Sequence, residues 1–180
     1  MHKGHINIDF VTEEMLSITQ FHTHNHVRWC GGFWKEQGVP VPDFPYEAPW
    51  VHQSFDQDCP YWAHKIKSMF DDVLEHSTVT INLMKPGRYI PPHKDLFFKL
   101  LQNAPEHIVK SNLEPVRINV FLQDHHIGHI YEMNGETWLD YKKGDYTVIK
   151  KGIPHCVINI GYMPRYTLQV SGFARPETFT

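Results

Sequence analysis

Cysteine is scarce in this 180-residue chain: Cys30, Cys59 and Cys156 are widely spaced and odd in number. Such a set implies no disulfide framework and points to a reducing, cytoplasmic setting. Nor is there an excess of one charge, since 17 Lys and Arg stand against 20 Asp and Glu, a formal net charge of −3. That balance argues against nucleic acid as a partner. Long apolar runs are missing. The opening MHKGHINIDFVTEEML has neither the apolar core of a signal peptide nor the length of a membrane span, so no membrane partner is expected. Internal repeats, low-complexity tracts and linkers are also missing, as are a phosphate-cradling glycine loop and a GxSxG motif. With 41% hydrophobic and 21% charged residues, the chain reads as one globular domain over 1–180, large enough for a real core.

Histidine and aromatics are what the chain has in plenty: 14 His, five Trp and 13% aromatic residues. So many histidines make a chance His-x-Asp pair easy, and a metal argument needs more than one pair. Residues 1–77 read as a flanking segment and a helix. Gly31-Gly32 and Pro40, Pro42, Pro45 and Pro49 favour loops and short extended pieces. His22, His24 and His26 alternate as on a strand, forming a polar face or, as the rival reading, a second metal site. Trp29, Phe33, Trp34, Phe44, Tyr46 and Trp50 wall a substrate side or pack around the core. Over 61–76, Trp62, Ile66, Phe70, Val73 and Leu74 recur at helical spacing, with Pro60 suited to a first turn.

From residue 78 the period becomes two. Val79, Ile81 and Leu83 alternate with Thr80, Asn82 and Met84 up to the Pro86-Gly87 turn. Pro91 and Pro92 keep 88–95 extended, and 96–113 reads as helix and loop. Val116, Ile118, Val120 and Leu122 then alternate with Arg117, Asn119 and Phe121. Asn134-Gly135 predicts a hairpin turn, and short strands follow at 146–150, 157–160 and 166–173. About eight strands behind one helix make a small β-sandwich or jelly-roll barrel over 78–173, whose mouth can hold a ligand.

In an extended segment, residues two apart point the same way, so His93 and Asp95 can reach one metal. His155, after the Gly152-Ile153-Pro154 bend, is the best third ligand. Two imidazoles and a carboxylate leave coordination positions open, unlike a closed four-ligand structural zinc site. Ten residues on, Arg165 can grip a carboxylate with its planar fork, if adjacent antiparallel strands bring it beside His155. Its bland reading is a surface ion pair. His125, His126 and His129 read as loop histidines, and Cys156 as a buried apolar residue.

Over about residues 78–173 the sequence resembles the iron(II)- and 2-oxoglutarate-dependent oxygenases, particularly the aspartyl/asparaginyl β-hydroxylase-like group. Tyr89-Ile90-Pro91-Pro92-His93-Lys94-Asp95 resembles the strand bearing two ligands, and Arg117-Ile118-Asn119-Val120-Phe121-Leu122 the next core strand. Trp138…Lys143-Gly144-Asp145, then His155-Cys156-Val157-Ile158-Asn159 and Pro164-Arg165, resemble the approach to the distal ligand and the arginine that binds 2-oxoglutarate. Some of that group have glycine at the place of Asp95 and histidine at that of Asn119. A full triad is similar to that of members acting on free amino acids such as proline.

The resemblance implies a mainly β, double-stranded β-helix fold of jelly-roll or cupin-like form with flanking helices. It implies Fe(II) on His93, Asp95 and His155, and 2-oxoglutarate on Arg165, with Asn82, Arg117 and Asn119 also toward the co-substrate. For Arg117 and Asn119 the alternative is a solvated strand face. The implied reaction uses molecular oxygen to hydroxylate a C–H bond of an amino acid, or of an aspartyl, asparaginyl or prolyl residue in a protein. No catalytic residue is implied beyond the metal ligands. The rivals are a cupin-like metal-binding domain or isomerase without oxygenase activity, and a β-sandwich whose histidines are incidental.

Overall fold

A computed structural model of the chain describes residues 1–23 and 52–179. His24, His26, Cys30, Gly31-Gly32, the prolines from Pro40 to Pro49 and the aromatic series from Trp29 to Trp50 lie outside the described residues. The first elements are β1 (His2–His5), α1 (Glu13–Ile18), β2 (His22–Thr23), β3 (His52–Phe55) and α2 (Tyr61–Ser68). The strands β4 (Glu75–Met84) and β5 (Arg88–Lys94) precede two short helices, α3 (Phe98–Gln102) and α4 (Glu106–Val109). Then come β6 (Glu114–Phe121), β7 (His129–Met133), β8 (Glu136–Trp138), β9 (Asp145–Lys150), β10 (Pro154–Asn159) and β11 (Arg165–Ala174).

The pairing of the last eight strands is nested. β7 pairs with β8, β6 with β9, β5 with β10 and β4 with β11, all antiparallel. The chain is therefore one long hairpin turned about Asn134-Gly135, whose positive φ values of 54° and 79° suit the tight turn between twisted strands. Successive pairs fall alternately in two sheets, and β10–β7 and β11–β6 contacts knit them sideways. One sheet runs β5-β10-β7-β8. The other runs β1-β9-β6-β11-β4-β3-β2, so the N-terminal strands extend the larger sheet at both edges.

Period-two alternation sorts the larger sheet's side chains. Val79, Ile81, Ile118, Val120, Leu168 and Val170 face outward and are covered by α1, α2 and the turn at Ile8–Val11. Fully burying each such side chain is worth about 1.5–3 kcal/mol. The opposite face looks into the roll. At one end it meets Phe121, Tyr131, Met133, Trp138 and Tyr141, a second apolar cluster that closes the space. At the other end it carries Thr80, Asn82, Arg117, Asn119, Thr167 and Gln169, and there the space stays open.

The helix expected over 61–76 ends at Ser68, and Pro60 is the residue before its first turn. Phe70 and Leu74 are buried nonetheless, because the turns after Ser68 lead them back onto the sheet, while Val73 is exposed. Helical spacing of apolar residues reported burial there, not helix. Among the described residues no helix is long and apolar enough to cross a membrane.

Candidate metal centre and its cavity

Strand β5 is extended through Pro91 and Pro92, so His93 and, one residue past the strand, Asp95 turn to the same side. Directly across on β10, His155 pairs in register with His93, and their ring centroids are 4.2 Å apart. Asp95 Oδ1 lies 3.8 Å from His93 Nε2, and Asp95 Oδ2 lies 3.7 Å from His155 Nε2. The three donor atoms all lie within 4.8 Å of one another. Around one ion with bonds of about 2.1 Å, donors at right angles stand about 3.0 Å apart, so the two carboxylate–imidazole pairs would have to draw in by roughly 0.7–0.8 Å.

Backbone carbonyls set the imidazole tautomers. His93 Nδ1 is 2.9 Å from the Pro91 oxygen and His155 Nδ1 is 3.1 Å from the Ile153 oxygen. A carbonyl can only accept, so each Nδ1 carries the hydrogen and each Nε2 turns its lone pair toward Asp95. That is how a metal-ligating histidine is usually oriented. Burial, with the neighbouring His93, pushes His155 down to about 4, so it stays neutral and able to ligate near pH 7. Burial alone would raise the Asp95 carboxyl. The Arg117 guanidinium and the two imidazoles outweigh it and hold the group below its ordinary value.

Arg117, expected to face the co-substrate, is ion-paired with Asp95 instead: Nη1 donates to Oδ2 at 2.6 Å and Nε donates to Ser171 Oγ at 3.0 Å. It lines the cavity as expected, but its charge is taken by the candidate ligand. Asn82 and Asn119 line the same cavity and are buried. Asn82 Oδ1 accepts from Gln53 Nε2 at 2.6 Å, whereas Asn119 Nδ2 is buried with no hydrogen-bond partner.

Arg165 lies in the same cavity, whose volume is about 640 Å³, but not by the route expected. His155 and Arg165 belong to strands of different sheets, β10 and β11, so the two face each other across the roll instead of lying on neighbouring strands. Alternation on β11 still sends Arg165, Thr167 and Gln169 inward and Leu168 and Val170 to the outer core. The Arg165 side chain is 4% exposed and is surrounded by rings, its Cζ 5.4 Å from the Phe121 centroid and 5.9 Å from those of Tyr131 and Tyr141. Its Nη2 has no hydrogen-bond partner, and no carboxylate among the described residues pairs with it. An isolated buried cation costs several kcal/mol, a cost that an anionic ligand beside it would offset.

The aromatic surround of Arg165 went unread in the sequence, though Phe121 and Tyr131 stand at inward positions of their strands. His129 is no loop histidine: it belongs to β7 and is fully buried. Cys156 points away from His155 as alternation requires. It is buried, and burial raises its thiol above the ordinary value.

The donor set and the orphaned guanidinium thus fit a divalent metal with an anionic ligand beside it. Two nitrogens and one carboxylate suit a metal with open positions, and a planar fork suits a carboxylate.

No family model matches the chain, and no curated protein is similar to it at the sequence level. Solved structures are similar in fold. A prolyl-4-hydroxylase of Pseudomonas putida is 17% identical over 90% of this chain and 96% of that one, with a TM-score of 0.50. A predicted oxalate decarboxylase of Thermotoga maritima is 16% identical over 68% and 79%, with a TM-score of 0.40. A salicylate 1,2-dioxygenase of Pseudoaminobacter salicylatoxidans is 13% identical over 78% and 29%, with a TM-score of 0.41. The fold is accordingly mainly β, a double-stranded β-helix of the cupin kind.

Proposed function

We propose that the chain is an iron(II)- and 2-oxoglutarate-dependent oxygenase that hydroxylates a C–H bond of an amino acid, or of an aspartyl, asparaginyl or prolyl residue in a protein. The observation that carries this reading is the Arg165 guanidinium, buried and without an anion, in the cavity that also holds His93, Asp95 and His155. A metal-binding domain or isomerase of the same fold has no need of a desolvated cation there. The prolyl-4-hydroxylase of similar fold is consistent with it.

When bound, iron and 2-oxoglutarate use dioxygen to place one oxygen atom in the substrate and one in succinate, with loss of carbon dioxide. The chain's own part is to hold and orient. His93 and His155 offer Nε2 because their Nδ1 hydrogens are committed to carbonyls, and Asp95 offers an anionic oxygen while Arg117 occupies its other side. Arg165 would grip the far carboxylate of 2-oxoglutarate, a role its buried, unpartnered Nη2 supports, and Asn119 Nδ2 would offer that molecule a further donor. Met84, Ile90, Ile149 and Val157 give the space an apolar wall. Among the described residues only Cys59 and Cys156 are cysteines, and both are buried free thiols, in keeping with a reducing cytoplasm.

Anaerobic addition of Fe(II) and then 2-oxoglutarate should produce a weak visible charge-transfer band that titrates with 2-oxoglutarate. Arg165→Lys keeps the charge and loses the planar fork, so the same titration should show binding weaker by about 1.5–3 kcal/mol with iron affinity unchanged. Equal affinities in the two proteins would move the cupin-like metal-binding reading ahead.

A further inference from the structure

Behind Arg165, toward the closed end of the roll, lies a chain of buried polar groups that the metal ligands do not touch. Arg165 Nε is 3.4 Å from the Tyr141 hydroxyl, the hydroxyl is 3.5 Å from His129 Nδ1, and His129 Nε2 is 3.0 Å from the Met163 carbonyl. Tyr141 and His129 are almost wholly buried, and Arg165 is nearly so.

Only one placement of hydrogens satisfies all of them. The Met163 oxygen accepts, so His129 Nε2 bears the hydrogen. Burial, despite that bond, pushes His129 down to about 4, so its Nδ1 keeps a lone pair near neutral pH. The Tyr141 hydroxyl therefore donates to Nδ1, and its oxygen accepts from Arg165 Nε.

The backbone leading into Arg165 is held separately. The Met163 oxygen also accepts from Asn159 Nδ2 at 2.9 Å, and the Pro164 oxygen accepts from Gln123 Nε2 at 3.1 Å. Tyr141 itself is stacked on Phe121, ring centroids 3.8 Å apart, which fixes where its hydroxyl stands. With Nε engaged at its back, the guanidinium turns its Nη edge into the cavity, and Nη2 is the atom left without a partner.

We infer that Tyr141, backed by His129, is a positioning residue for Arg165: it sets the depth at which the guanidinium meets a dicarboxylate, and so the co-substrate length the site accepts. The inference rests on Arg165 being the carboxylate site. Removing the Tyr141 hydroxyl strands two buried groups, Arg165 Nε and His129 Nδ1, while leaving the ring stack in place. The guanidinium can then turn, and a fixed reach from the metal is lost.

The test is calorimetric binding to the Mn(II)-loaded protein of 2-oxoglutarate, of oxaloacetate (one methylene shorter) and of 2-oxoadipate (one longer). For Tyr141→Phe we expect 2-oxoglutarate to bind roughly 5- to 10-fold more weakly, the scale of one buried hydrogen bond. Its preference over the other two acids should narrow by a similar factor, with Mn(II) affinity unchanged. His129→Gln should show the same loss of length preference. Wild-type affinity and wild-type preference in Tyr141→Phe would overturn the inference while leaving the oxygenase reading intact. So would a parallel loss of Mn(II) affinity and thermal stability with the preference kept, since that is what a merely structural role produces. A wild-type protein that binds none of the three acids would overturn the oxygenase reading itself.

Discussion

Arg117 sits 22 positions after Asp95 and on the other sheet, yet its guanidinium holds one carboxylate oxygen at 2.6 Å and Ser171 Oγ at 3.0 Å. A carboxylate held this way keeps one orientation, with Oδ1 toward His93 and the Arg117-bound Oδ2 toward His155. Arg117→Ala should therefore weaken Fe(II) or Co(II) binding about 10- to 100-fold, the usual effect of losing a partner of a metal ligand. Anaerobic metal titration followed by Co(II) absorbance checks it. Unchanged affinity would mean that Asp95 is oriented by other means. His93 and Asp95 were legible as a pair because a strand's period of two is local. The Arg117–Asp95 bond was not legible, because it depends on two strands of different sheets meeting across the mouth. Alternation could say only that Arg117 faces inward. In the same way alternation on β11 correctly turned Arg165 inward, but the adjacent-strand pairing expected from its ten-residue offset from His155 does not occur, and its ring of Phe121, Tyr131 and Tyr141 comes from three separate segments.

At the level of elements, the last eight strands were largely readable because their turns are chemically marked and one face of most strands is apolar. The four-residue β1 was not, since it gains its place by pairing with β9, although His22 of the expected strand face does open β2. Two turn glycines separate backbone conformation from packing. Gly87 has φ 76° with nothing near the position of a Cβ, whereas at Gly128, φ 90°, a Cβ would stand 2.3 Å from the Gly161 nitrogen. Gly87→Ala should cost about 1–2 kcal/mol, the ordinary penalty of a left-handed residue. Gly128→Ala should cost clearly more, because the loops before β7 and β11 must also separate. Urea unfolding of both variants decides this, and equal losses would show that the loops yield freely.

For the whole molecule, burial has a pH signature. His129 titrates at about 4 when folded, pushed down first by burial, against an unfolded value of about 6.5. The unfolded chain thus binds the proton more readily between those values. This group's share of stability is complete above about pH 6.5 and is lost as pH falls toward 4. By pH 5 the loss is about 2 kcal/mol, or about 4–8 °C in melting temperature. His129→Gln should flatten the drop between pH 7 and pH 5 by that amount, and parallel melting curves for the two proteins would show that the folded histidine accepts the proton freely.

The nested hairpin also bears on how the protein comes into being. Its innermost pair, β7 with β8, closes over a two-residue turn, but β5 meets β10 only after a long stretch of chain has been ordered, and β4 meets β11 later still in sequence separation. Closing such loops is entropically dear, and high contact order makes for slow folding. His93 and His155 ride on the β5–β10 pair, and Arg165 opens the strand that completes the roll. A nascent or partly unfolded chain thus has the inner hairpin but brings together neither His93, Asp95 and His155 nor the surround of Arg165, so the proposed metal would be taken up only once the outer strands of the nested hairpin have met.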